Sequence, residues 1–281
     1  AAGVDSGLDD SITGSNILLF NEAGVIVGRV GNAAGPVSFT VSVNASGQVT
    51  LDQQRAIVHT PNSGADQESS LSAANLVQLS ATITDKDGDT ATASVNLGSA
   101  SSFRADGPSI SPNAVAVDSL QVDESNLAGN ASTSFAGAFT GSYGADGAGT
   151  TVYSLNVSAA GVDSGLDDSL TGSNILLFLE AGNVVGRVGS AAGAISFTVA
   201  VNTSTGTVTL DQQRAIIHTP NSGPDQETSL ASANLVQLTA TITDKDGDAT
   251  SASVGLGSAI SFRDDAPTAV TQTQSGQATV S

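Results

Sequence analysis

Val77-Gln-Leu-Ser-Ala-Thr-Ile-Thr-Asp85-Lys-Asp-Gly-Asp89-Thr-Ala-Thr-Ala-Ser-Val-Asn-Leu97 decides the fold. Val77, Leu79, Ala81 and Ile83 point one way; Gln78, Ser80, Thr82 and Thr84 point the other. The alternation resumes with Ala91, Ala93, Val95 and Leu97. A period of two on both sides of a short polar break predicts a β-hairpin. The break places Asp85, Asp87 and Asp89 at alternate positions, with Gly88 to let the chain turn sharply. It returns as Asp244-Lys245-Asp246-Gly247-Asp248.

Two carboxylates about 4 Å apart repel by roughly 4 kcal/mol at an effective dielectric near 20. Three of them in one turn call for a cation, and the single lysine screens only part of the charge. Oxygen ligands on a flexible loop suit calcium, which accepts roughly six to eight oxygens. The plainer alternative is a solvated turn, because Asp and Gly are ordinary turn formers. Recurrence in the same strand–loop–strand setting favours Ca2+.

The chain repeats itself. Residues 1–10 recur unchanged as 159–168, 16–20 as 174–178, and 51–55 as 210–214. One residue inserted near 203–206 moves the offset from 158 to 159. The match runs on to Phe103-Arg-Ala-Asp-Gly-Pro108 against Phe262-Arg-Asp-Asp-Ala-Pro267. Residues 1–106 read as the C-terminal two thirds of one repeat, 107–265 as a complete repeat and 266–281 as the start of another. The chain starts and ends mid-pattern, as a piece of something longer would.

Within a copy, strands are expected at 17–20 and 25–30 around a turn, then at 37–43, 48–52 and 56–59, the last stopped by Thr60-Pro-Asn-Ser-Gly64. Residues 68–74 read as one short helical turn. Short strands at regular spacing with Gly, Asn and Ser turns predict an all-β protein: tandem Ig-like β-sandwich modules joined by short linkers.

Composition narrows the function. The chain carries 27 acidic and 8 basic residues, a net charge of −19. Both lysines sit inside the Asp-rich turns. Nucleic acid and anionic membrane are poor partners, because the phosphate term needs clustered Lys and Arg. There is no cysteine, so no disulfide staples the fold, and a bound metal is an alternative staple. No apolar run approaches 18 residues, so no spanning helix is expected. Aromatics make up 4% of the chain, too few for a stacking platform.

Two further acidic groups are candidate calcium ligands. Asp5, Asp9 and Asp10 recur as Asp163, Asp167 and Asp168 in Ser-Gly loops, where a solvated turn is an equal alternative. Asp106 in the first copy, and Asp264 and Asp265 in the second, lie at the repeat junctions beside an arginine and a proline. There they tie a stiffened linker, or form an ordinary Pro-bearing turn. Asp123-Glu124, Asp146-Gly147, and Asp66/Glu68 with Asp225/Glu227 are weaker signals. An enzyme is not expected: His59 and His218 are the only histidines, at equivalent strand ends, and no cysteine nucleophile exists. The Gly-rich stretch 144–149 lacks the Gly-Lys-Ser/Thr of a P-loop.

Thr84-Asp-Lys-Asp-Gly-Asp-Thr-Ala-Thr-Ala-Ser-Val-Asn-Leu97, followed by 103–108, resembles the large tandem repeats of bacterial RTX adhesins exported by type I secretion. The second copy, 243–256 then 262–267, matches equally, and Val122-Asp-Glu-Ser125 with Gly144-Ala-Asp-Gly147 look like the opening of the same repeat. The resemblance implies giant surface proteins of Gram-negative bacteria, with calcium-binding Ig-like modules that project an adhesive tip. The Gly-Gly-x-Gly-x-Asp nonapeptides of the secretion end are missing. Ala105 and Ala266 stand where the other copy has Asp264 and Gly107. On this resemblance the chain is a calcium-stabilised extender, extracellular and monomeric, touching neighbouring repeats and not inserting into membrane. The alternative is an adhesive module that itself binds a glycan or peptide.

Overall fold

The computed structural model describes residues 3–59, 67–116, 120–219 and 226–265. The expected turn at 60–64, the acids Asp66 and Asp225, and the opening of a further repeat at 266–281 lie outside the described residues. The chain is all-β and divides into two compact units. Unit 1 takes its described residues from 1–111, 139–152 and 240–252; unit 2 takes them from 112–138, 153–239 and 253–265. Unit 1 therefore combines the first copy with the tip of the second copy's Asp-turn hairpin.

In unit 1, β1 (Val4–Asp9), β2 (Asn16–Glu22), β3 (Val25–Val30), β4 (Val37–Val43) and β5 (Val49–Gln53) form an antiparallel meander in that order. Its inward residues Leu8, Ile17, Leu19, Phe39 and Val41, with Ile57, meet Leu71, Val77 and Phe103 from the opposite layer. The Phe39 and Phe103 rings lie 4.8 Å apart, an inclined pair across the sandwich. Phe103 belongs to β9 (Ser102–Arg104), which pairs with β6 (Glu68–Ser70). The expected helical turn at 68–74 is thus a short strand, and a 3-10 turn follows at Ala74–Leu76. Pairing with β9 overrides the weak local preference of Glu68-Ser-Ser.

The first Asp-turn hairpin forms as expected: β7 (Gln78–Thr84) pairs antiparallel with β8 (Thr90–Asn96). Among the described residues nothing covers its apolar face, and Ile83 is 73% exposed. The remaining strand of this half, β10 (Ser109–Pro112), pairs with a later one described below.

The strands that follow are β11 (Leu120–Asp123), β12 (Ala131–Ser134), β13 (Phe139–Ser142), β14 (Ala148–Val157), β15 (Val162–Asp167), β16 (Asn174–Glu180), β17 (Asn183–Val188), β18 (Ile195–Val201), β19 (Thr207–Gln212), β20 (Glu227–Ser229), β21 (Val236–Asp244), β22 (Ala249–Gly255) and β23 (Ile260–Arg263). Unit 2 repeats the meander as β15–β19 and extends it with β12, giving six strands. Facing it is the sheet β11-β23-β20. The core holds Leu120, Ile175, Leu177, Phe197, Leu210 and Phe262, with the rings of Phe197 and Phe262 5.0 Å apart. Each such side chain, fully buried, contributes about 1.5–3 kcal/mol.

β13 pairs with β10, and β14 pairs with β21, which pairs with β22. β21 buries alternate residues along its whole length, and Ile242, the counterpart of Ile83, is 4% exposed. The covering strands β13 and β14 lie in the stretch 109–158, between the two Asp-turns. One sequence pattern therefore gives a bare hairpin in one copy and a covered one in the other.

Candidate metal centre

The two Asp-turns close alike. Asp85 Oδ1 accepts from the N–H groups of Gly88 at 3.0 Å and Asp89 at 2.9 Å; Asp244 Oδ1 accepts from Gly247 at 3.0 Å and Asp248 at 2.8 Å. Gly88 and Gly247 have φ of 101° and 102°, a region side chains rarely enter. Oδ1 of the first aspartate thus closes each turn.

What surrounds them differs. Asp85, Asp87 and Asp89 converge within 4.8 Å but all three are exposed. Sharing a proton with Asp87, and the turn N–H groups, hold Asp85 below the usual carboxylate range. In the second turn Asp244 and Asp248 are buried, and Asp146 joins from the turn before β14. Oxygens of Asp146, Asp244 and Asp246 lie within 4.8 Å of one another. Asp146 Oδ1, Asp244 Oδ2 and both oxygens of Asp248 are buried without a hydrogen-bond donor. Lys245 is exposed. His59 Nδ1 stands 3.9 Å from Asp246 Oδ2, beyond hydrogen-bond reach.

Burial pushes the Asp244 carboxyl up to about 7, reinforced by proton sharing with Asp246 and by its charge. Asp146 and Asp248 are raised too, first by burial and then by Asp246. Buried carboxylates that are neither paired nor metal-bound are costly, so they shift toward neutrality. A divalent cation among the three converging carboxylates would remove that cost, and the all-oxygen donor set is that of a hard ion. The backbone is built for the approach: a Cβ on Gly149 would stand 2.3 Å from the carbonyl oxygens of Thr243 and Asp244.

The other expected ligands divide. Asp106 accepts from Ala145 N at 2.9 Å through Oδ2 and so holds the loop that carries Asp146. Asp5, Asp9 and Asp10 are not among the converging groups of the described residues. Asp5 accepts from Gly7 N and Asn16 Nδ2, and Asp9 is exposed. Asp10 is buried and bound by Arg55 at 2.8 and 3.0 Å and by Thr13. The second copy repeats this: Asp163 accepts from Gly165 and Asn174, Asp167 is half-buried, and Asp168 binds Arg214 at 2.7 and 3.0 Å. The Arg214 hydrogen bonds hold Asp168 below the usual carboxylate range. Asp10 and Asp168 thus serve buried ion pairs. Asp265 is exposed, while Asp264 converges with Glu124 and His218.

The chain is thus an all-β protein of two sandwich-like units that brings carboxylate and imidazole side chains together in three clusters among the described residues. It belongs to the family described as Domain of unknown function (DUF5801), whose model matches residues 1–98 and 119–257. No curated protein and no solved structure matches it.

Proposed function

We propose that the chain is a calcium-stabilised structural extender from a bacterial cell-surface adhesin of the RTX type. The observation that carries this is the convergence of Asp146, Asp244 and Asp246, with donor-less buried oxygens on Asp146, Asp244 and the neighbouring Asp248, in a repeated β-sandwich. Calcium bound there joins the 144–147 loop to the hairpin tip of β21 and β22 and closes the covered face. Extracellular modules typically hold calcium at about 10⁻⁴–10⁻³ M. In a calcium-poor cytosol the carboxylates and a net charge of −19 oppose compaction, and calcium outside the cell relieves both. Repetition suits a spacer, which gains reach from copy number and needs no catalytic group.

One observation favours the adhesive alternative: a cavity of about 380 Å³ in unit 1, lined by Gln53, Gln54, Arg55, Arg104 and Asp106 among others. Glycan and peptide arrays probed in calcium separate the two. The extender reading expects no saturable binding, and saturable binding that Gln54→Ala weakens would replace it with the adhesive one.

A further inference from the structure

We propose that Glu124, His218 and Asp264 form a second cation site, in unit 2, that takes a borderline ion of the zinc class rather than calcium. β11 pairs in parallel with β23, placing Asp123 opposite Arg263. The next residues along are Glu124, which opens a 3-10 turn, and Asp264. His218 arrives two residues after Ile216, which bridges to Asp168. One ligand atom from each of the three lies within 4.8 Å of the others.

Glu124 Oε1 and His218 Nε2 are 3.4 Å apart, long for a hydrogen bond. The Glu124 carboxylate is already oriented, because Gln212 Nε2 donates to Oε1 at 2.8 Å and Ile216 N at 2.9 Å. Such outer hydrogen bonds fix metal-binding carboxylates. His218 Nδ1 and Gln212 Oε1 are buried without a partner, and both side chains are at least nine-tenths buried. A half-satisfied imidazole among carboxylates is a nitrogen-bearing donor set, which suits zinc and its neighbours, whereas calcium takes oxygen.

The first copy lacks this set. Ala105 stands at the place of Asp264, and His59 Nε2 faces the Phe103 carbonyl at 3.2 Å. The site does not rest on the calcium reading, since it shares no residue with the Asp146 cluster.

The test uses the full chain, stripped with chelator and then held at about 10 mM calcium to fill carboxylate sites. Zinc is added alone and followed by calorimetry and by the imidazole C–H resonances of the two histidines. One zinc equivalent should bind despite calcium and move the His218 signals. His218→Gln and Asp264→Asn should each weaken it at least about tenfold, and His59→Gln should leave it intact. Asp264 is only half-buried, so its variant reports even where His218→Gln unfolds. Absence of zinc binding in calcium, unmoved His218 resonances, or equal affinity in wild type and Asp264→Asn would each overturn the proposal.

Discussion

Asp244→Asn should have opposite effects with and without calcium. The amide keeps an Oδ1 to accept from the Gly247 and Asp248 N–H groups, so the turn survives. It removes a carboxyl whose folded value is about 7 against an ordinary 3.8. Between those values the folded chain holds a proton that the unfolded chain has lost, so metal-free stability falls as pH rises and levels off above 7. At 1.36 kcal/mol per unit the penalty is about 4 kcal/mol at pH 8 and about 2 kcal/mol at pH 5. In chelator at pH 8, Asp244→Asn should therefore be more stable than wild type by a few kcal/mol, with the advantage shrinking at pH 5. In calcium the order should reverse, because the variant has lost a ligand. Urea melts at both pH values, with calcium and with chelator, give all the comparisons. A variant that is destabilised in chelator, or that keeps the wild-type calcium response, would refute the reasoning.

Arg214→Gln leaves the Asp168 carboxylate buried without its cation and should cost about 3–5 kcal/mol in a urea melt at neutral pH. The Asp168 value is depressed, so this contribution is present above about pH 4 and fades as pH falls through the folded value. Gly149→Ala drives a Cβ into the carbonyls of Thr243 and Asp244 and should cost about 1–3 kcal/mol, with weaker calcium stabilisation in the same melts. Asp87→Asn, in the exposed first turn, should shift stability by less than about 0.5 kcal/mol.

The hairpin at 77–97 and the meander strands were legible because alternation and turn residues are local signals. The fate of the two hairpins was not. Identical Asp-Lys-Asp-Gly-Asp turns diverge because β13 and β14 cover only the second, and covering is a property of partners distant in sequence. Asp146 was a weak signal for the same reason: a Gly-flanked aspartate reads as a turn until the fold sets it about a hundred residues away beside Asp244. Its flanking glycines, both with positive φ, were the clue available. Asp10 and Asp168 misled because acid-rich loops do not announce the arginines, Arg55 and Arg214, that bind them. His59 and His218 read as repeated structural positions, yet each sits beside acids far from it in sequence, Asp246 for His59 and Glu124 with Asp264 for His218.

The most direct test of the calcium account is the melting temperature of the full chain against calcium concentration, started in chelator. Binding to the folded state alone adds RT ln(1 + [L]/Kd), about 2.7 kcal/mol at a hundredfold excess over Kd. The account predicts a midpoint that climbs by several degrees and keeps rising with the logarithm of calcium beyond millimolar. Melting curves that superimpose in calcium and in chelator would contradict it.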